Sequence, residues 1–367
     1  MVRGWASSPD GRHHGAHYAE AAQTLGTRSD SFLDFSANIN PLGTPKAALA
    51  AGVDALYEKV GRYPDLHYTQ LRAALAGYLG VSFDRVLPTN GGAEALFLAA
   101  RAAVEESAGT KAVLLEPTFS EYAAAARAAS FEVEGVVARR PETNFRLDPA
   151  ALDEALARSR GVGLVFLCNP NNPTGDAVPR WEVLSLAERV RDVGATLVVD
   201  EAFADFAPHL SVAREAREGL YVVRSFTKFF AVPGLRLGCL VSQNSERVRA
   251  FQPSWSVNVV AAAVGIAAAA DESFAETTLA EVALRRQELF FAIGGLPGLT
   301  PYPGAANFLL VRGPEGLAEE LARRGVLVRG CEPFRGLGTG FFRVAVRGAG
   351  ENERLVEELR GVLEGTP

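Results

Sequence analysis

Arg224-Ser-Phe-Thr-Lys-Phe-Phe-Ala-Val-Pro-Gly-Leu-Arg-Leu-Gly238 is the stretch on which the fold turns. An apolar run, Leu220-Tyr-Val-Val223, precedes it and reads as a short buried strand that delivers one lysine into aromatic company. Burial disfavours a charged amine and lowers its pKa, and a neutral lysine in such a place is a nucleophile toward an aldehyde. Ser225 and Arg236 flank Lys228 with a hydroxyl and a fixed cation, a pair suited to a phosphate ester. A lone Ser-x-x-Lys equally fits a surface lysine after a strand, so the reading depends on the segments around it.

Working outward, the pattern from Val86 alternates strands and helices. Strands are predicted at Lys111–Leu115, 163–168, 195–199, Leu220–Val223 and 238–241, and helices at about 91–104, Glu121–Ala129 and Trp181–Val193. Near-continuous apolar strands between helices predict a mostly parallel sheet covered on both faces, with ligands bound beyond the carboxyl ends of its strands. Before this region lie two predicted helices, Pro45–Val60 and Tyr68–Leu79, separated by Arg62-Tyr-Pro-Asp65. The first 45 residues read as an arm with a short helix at Tyr18–Leu25 and a loop at Asp34-Phe-Ser-Ala-Asn-Ile-Asn-Pro-Leu-Gly43. The last third reads as a second lobe, with helices over roughly 259–293 and 317–324 and strands at 306–311, Val326–Arg329 and 341–346. A closing helix, Glu353–Leu363, follows, with Asn352 as its N-cap. The division expected is an arm at 1–45 that joins the small domain, a large domain at 46–255 and a small domain at 256–367.

Composition sets the class. With 48% hydrophobic residues in 367, the chain can bury a large core in two lobes. A net charge of −6 without a long basic run, and no helix-turn-helix signature, argue against a nucleic-acid partner. Cys168, Cys239 and Cys331 lack disulfide or zinc spacing, which fits a reducing compartment. The longest apolar run, Val259–Ala270, is too short to span a bilayer, and the N-terminus has no apolar signal core. A cytoplasmic protein without a membrane partner is expected. His13, His14 and His17 lack carboxylate or cysteine partners nearby, so no metal is assigned to them.

Three further motifs sit at predicted strand ends. Asn90-Gly-Gly-Ala-Glu94 opens a helix and offers backbone N–H groups to a phosphate, although Gly-Gly before a helix is common. Asn169-Pro-Asn-Asn-Pro-Thr-Gly175 is a rigid polar loop. Asp200 ends an apolar strand and is either a helix N-cap or a buried carboxylate placed against a pyridine nitrogen.

Together, over the whole chain and in order, the glycine loop, Asn-Pro-Thr-Gly, Asp-Glu-Ala-Phe and Ser-x-x-Lys…Arg resemble the fold-type I enzymes that use pyridoxal 5′-phosphate (PLP), the aspartate aminotransferase class. The resemblance implies an α/β fold: a mostly parallel large-domain sheet with helices on both faces, a smaller α+β domain and an N-terminal arm. It implies that Lys228 binds the PLP aldehyde, that Asp200 meets the pyridine nitrogen and that Asn172 bonds the ring hydroxyl. Gly91, Gly92, Ser225 and Arg236 would hold the phosphate, and Phe119 would stack on the ring. Tyr63 would reach the phosphate of a partner subunit, so a homodimer is implied. Arg343 in Phe-Arg-Val-Ala-Val would clamp a substrate carboxylate. Relatives with aminotransferase activity often carry Tyr where Phe203 stands, and Phe203 cannot donate a hydrogen bond. Within the family, the motifs of the arm, of Trp255-Ser-Val-Asn258 and of Phe341–Arg347 resemble members that decarboxylate a phosphorylated amino acid. Aminotransferases acting on a phosphate monoester are the nearest siblings. By that resemblance His14, Asn38 and Arg329 approach the substrate's phosphate, while Arg347 either joins them or is a surface charge at a strand end.

Overall fold

The structure, a computed structural model, describes residues 22–23, 26, 28, 32–159, 161–243 and 245–365. Its centre is a seven-stranded sheet. After β1 (Leu33–Asp34) in the arm, the strands of this sheet are β2 (Val86–Asn90), β3 (Lys111–Glu116), β4 (Glu132–Val137), β5 (Val162–Cys168), β6 (Thr196–Asp200), β7 (Leu220–Ser225) and β8 (Leu237–Val241), and they lie in the order β2-β8-β7-β6-β5-β3-β4. All pairings are parallel except the two made by β8, which runs against β2 and β7. Every residue of β5, β6, β7 and β8 is buried, because helices cover both faces, and this is why those strands read as unbroken apolar runs. One apolar cluster, holding Val165, Leu197, Val199 and Val222, fills one side of the sheet; another, holding Leu114, Phe166, Val198 and Val223, fills the other.

Register places the chemistry. Cys168 pairs with Asp200, and Asp200 with Val223, so the carboxyl ends of β5, β6 and β7 finish at one level. The antiparallel β8 closes the set, since Gly238 lies between Thr89 and Ser225 and brings the start of the helix Gly91–Glu106 beside the end of β7. Only glycine fits at 238, where a Cβ would stand 2.6 Å from the carbonyl carbon of Gly91.

A second, four-stranded antiparallel sheet is built from Thr300–Pro301, Phe308–Arg312, Arg329–Gly330 and Phe341–Ala345, with the long helix Glu272–Gly294 and the closing helix Ala349–Leu363 beside it. The strand expected over Val326–Arg329 is divided. Val326–Leu327 pairs in parallel with Leu33–Asp34 of the arm, while Arg329–Gly330 pairs with Phe341–Ala345. The segment read as loop from Asp34 thus begins inside a strand, and Phe35, fully buried, joins the apolar core of this lobe. Asn352 is not the N-cap of the closing helix, which starts at Ala349: Glu351 accepts from the Gly348 N–H, and the Asn352 side chain bonds the backbone of Arg347. The edge strand β4 and the helix Pro149–Arg158 have no counterpart in the sequence reading. Strand β4, Glu-Val-Glu-Gly-Val-Val, carries charge at a sheet edge and lacks the apolar run of its neighbours. The helix Tyr18–Leu25 and His14 lie, wholly or largely, outside the described residues. Among the described residues no helix is long and apolar enough to cross a membrane.

Candidate active site

Beyond the strand ends lies a cavity of about 500 Å³ whose lining includes Asn38, Gly92, Phe119, Asn172, Asp200, Ser225, Lys228, Arg236, Arg329 and Arg343. The chain separations are large, and three structural devices bring these groups together.

The first is the end of β7. Lys228 Nζ donates to Ser225 Oγ at 3.1 Å and stands 5.8 Å from the centroid of Phe203. Burial, with help from the cations Arg236 and Arg343, pulls its pKa down to about 8, while the carboxylate of Asp200 opposes the shift. Gly91 has φ +78°, and a Cβ there would meet Arg236 Nη2 at 2.7 Å; a Cβ on Gly92 would meet the Ser225 Cβ at 3.0 Å. Bare backbone, a hydroxyl and a guanidinium therefore converge in space that any larger residue would fill. This is a donor set suited to a phosphate.

The second device holds Asp200. Its carboxylate accepts from Tyr122 OH at 2.7 Å and from the N–H of Ala202 at 2.9 Å. Burial pushes the Asp200 carboxyl above its ordinary range, and the Tyr122 hydroxyl and Lys228 work against that. Tyr122 is itself fixed by stacking on Phe166, ring centroids 5.0 Å apart, and by an edge contact with Phe119 at 5.7 Å. The neighbouring Cys168 thiol is pushed up to about 12 by burial, so it sits there as a neutral group. A buried anion facing a cavity is matched by a cationic ring N–H.

The third device is the arm. Phe35 docks in the small lobe, with its N–H on Leu327 O and its carbonyl accepting from Ala345 N. Five residues on, Asn40 bonds to the lysine segment, its N–H to Lys228 O at 3.1 Å and its Nδ2 to Phe229 O at 2.7 Å. The residues between, Ser36–Ile39, span the cavity. Arg343 ties this span to the large lobe, donating to Ser36 O at 2.9 Å and to Asn172 Oδ1. The Asn172 loop is braced in turn by Thr118–Asn171 and Arg139–Asp176 contacts.

Two expected residues stand elsewhere. Tyr63 is exposed and packs on Trp255, ring centroids 4.7 Å apart, outside the cavity lining. Arg347 pairs with Glu351 at 2.6 Å at the start of the closing helix and does not line the cavity, because that near carboxylate holds its guanidinium. Tyr122, Asn40 and Phe334 were not assigned from sequence. Only Tyr122 gave a signal there, as a hydroxyl three residues after Phe119.

The family described as Aminotransferase class I and II matches residues 30–361. The threonine-phosphate decarboxylase of Salmonella typhimurium is 37% identical, over 96% of this chain and 97% of its own length. The adenosylcobalamin biosynthesis bifunctional protein CobDQ of Leptospira interrogans is 31% identical, over 96% of this chain and 41% of that larger protein. Among solved structures, the histidinol-phosphate aminotransferase from Clostridium acetobutylicum superposes with a TM-score of 0.82, at 26% identity, over 91% of this chain and 99% of the other.

Proposed function

This chain belongs to the aminotransferase class I and II family, and we propose that its reaction is the decarboxylation of L-threonine O-3-phosphate to (R)-1-aminopropan-2-yl phosphate and carbon dioxide, a step of cobalamin biosynthesis. What carries the choice of reaction is the 37% identity to a threonine-phosphate decarboxylase along nearly the whole of both chains. Phe203, with no hydroxyl to offer the ring, supports the same choice.

The enzyme is PLP-dependent. Bound PLP supplies an aldehyde that reacts with amines and a protonated ring that draws electrons from a bond at Cα. In our reading Lys228 holds the aldehyde between turnovers and returns a proton to Cα, a task suited to an amine with a pKa of about 8. Asp200, aligned by Tyr122, keeps the ring nitrogen protonated. Gly91, Gly92, Ser225 and Arg236 hold the cofactor phosphate, Asn172 the ring hydroxyl, and Phe119 one ring face. Arg343 would bind and orient the substrate carboxylate, while Asn38 and Arg329 would take its phosphate. A homodimer with Tyr63 at the joint is supported by exposed apolar residues on the helix Lys46–Glu58 (Leu49, Val53, Leu56 and Tyr57), continued by Val60, Tyr63 and Trp255. Sedimentation at working concentration checks it. A cytoplasmic location fits the small-molecule substrate.

Given L-threonine O-3-phosphate and no keto acid, the PLP-loaded protein should release carbon dioxide over many turnovers. Given histidinol phosphate and 2-oxoglutarate, it should form little glutamate. Glutamate without carbon dioxide would replace the decarboxylase with the aminotransferase.

A further inference from the structure

Residues 331–340 leave the four-stranded sheet and cross to the edge of the large one. Phe334 enters the cavity wall, with the Arg329 guanidinium 5.9 Å from its ring centroid. Cys331 and Leu337 join Phe145 and Tyr302 in one apolar cluster, so the segment is anchored at both ends. Between these anchors it rests on β3 and β4. Gly336, at φ +89°, lies so close to the sheet that a Cβ would stand 3.2 Å from Val137 Cγ1 and 3.5 Å from Pro117 Cδ. The Arg335 side chain lies over Gly135: a Cβ on that glycine would come 2.8 Å from Arg335 Nη1 and 3.3 Å from Glu116 Cγ. The missing side chain at 135 leaves the space in which a cation from the loop and a carboxylate from the end of β3 face each other.

We propose that Glu116 and Arg335 form a clasp that seats this loop and thereby sets where Phe334 and Arg329 stand at the substrate's end of the cavity. Both are positioning residues and neither lines the cavity. Glu116 serves the opposite wall as well, since it accepts from the N–H of Thr118, next to Phe119, at 2.9 Å. The charged groups facing it are Arg335 from the loop and Arg139 from the segment after β4. Arg139 is engaged by Asp176 at 3.2 Å and by Leu115 O at 2.9 Å, which leaves Arg335 as the partner able to come and go. Burial raises the Glu116 carboxyl to about 7 against the pull of both cations. At pH 8 the Glu116 carboxyl is therefore an anion facing Arg335, and the pair can be tested at that pH.

The substrate assigned to the cavity rests on the function proposed above, but the clasp can be tested without it. Hydrogen exchange of residues 331–340 in the PLP-loaded protein at pH 8 should show about threefold less protection in Arg335→Ala and in Glu116→Gln than in wild type. Arg335→Lys should restore most of the protection. With L-threonine O-3-phosphate at pH 8, Arg335→Ala should raise KM about threefold with kcat within a factor of two. Equal protection in wild type and all three variants would overturn the clasp even in an active decarboxylase. The expected exchange pattern in a protein that releases no carbon dioxide would uphold the clasp and sink the substrate.

Discussion

The wall that carries Asp200, Ser225 and Lys228 is made of strand ends locked in register, whereas the wall that carries Asn38, Arg329 and Arg343 comes from the arm and the small sheet. The two differ in how their polar groups are satisfied. Both oxygens of Asp200 have partners and Lys228 Nζ is held by Ser225. Across the cavity, Asn38 Oδ1 and Arg343 Nε are buried without a hydrogen-bond partner among the described residues. A buried polar atom left so costs about 1–3 kcal/mol, so the second wall offers polar atoms for a ligand to satisfy, whereas the named groups of the first have partners beforehand. Rigid strand ends suit a cofactor that stays; adaptable loops suit a substrate that enters and leaves.

The largest effects should come from the first wall. Lys228→Ala should lower kcat by at least ~10³-fold, as removal of a covalent nucleophile does. Borohydride should fix PLP to a peptide containing Lys228, and a labelled peptide containing another lysine would break the assignment. The pKa near 8 has a direction to check. Only the neutral amine attacks an aldehyde, so the rate at which cofactor-free protein captures PLP should climb as pH rises through 8 and level off above it. A flat profile between pH 7 and 9 would contradict a depressed amine.

Next in size is Asp200. Asp200→Ala should cost turnover ~10²- to 10³-fold, the usual scale for one electrostatic contact to the reacting system. Tyr122→Phe removes one charge-assisted hydrogen bond of about 1.5 kcal/mol, so roughly tenfold in kcat is expected with PLP still bound. Steady-state rates together with the cofactor's absorbance separate the two. Asp200→Ala with near-normal turnover would make Asp200 structural, and the contrast between the walls would lose its footing.

The same contrast explains what could be read in the sequence. The alternation of apolar runs with helices disclosed the large sheet, because strands buried on both faces admit little but apolar residues. The groups at its strand ends (Asp200, Asn172, Lys228) followed from punctuation at those ends. Strand β4 was missed because an edge strand tolerates Glu132 and Glu134. Tyr122 was missed because its role depends on an oxygen 78 residues away. The second wall was harder still. Arg329 and Arg347 looked alike, each an arginine ending a short apolar stretch, yet Arg329 lines the cavity while Arg347 is taken by a carboxylate one helical turn on. Sequence distance decides that case, and composition does not.

Arg343 joins the two walls, and Arg343→Lys tests the joint. A lysine keeps the charge but loses the fork that reaches both Asn172 Oδ1 and Ser36 O. Loss of a charged, buried hydrogen bond of about 1.5 kcal/mol corresponds to roughly a tenfold rise in KM for L-threonine O-3-phosphate. PLP affinity should change little, because Arg343 does not touch Ser225 or Arg236, the groups proposed for the cofactor's phosphate. Equal weakening of cofactor and substrate would mean that the walls are one unit.

The smallest expected effect is the most direct measure of the difference. Asn38 is buried, and its amide oxygen meets no donor among the described residues. Were it a structural residue, Asn38→Ala would remove useful contacts and lower stability by the ~1 kcal/mol typical of a point substitution. If instead its amide serves the substrate, Nδ2 donating to the phosphate, the substitution also removes an oxygen that the described residues leave unsatisfied. Thermal stability without substrate should then stay level or rise slightly, while KM for L-threonine O-3-phosphate should increase about fivefold, the equivalent of one neutral hydrogen bond of ~1 kcal/mol. Substrate-induced stabilisation in a melting experiment should shrink in step, since it reports the same binding through mass action. A variant that melts lower yet binds as before would place Asn38 with the framework, and the second wall would then owe its unsatisfied atoms to something other than the substrate.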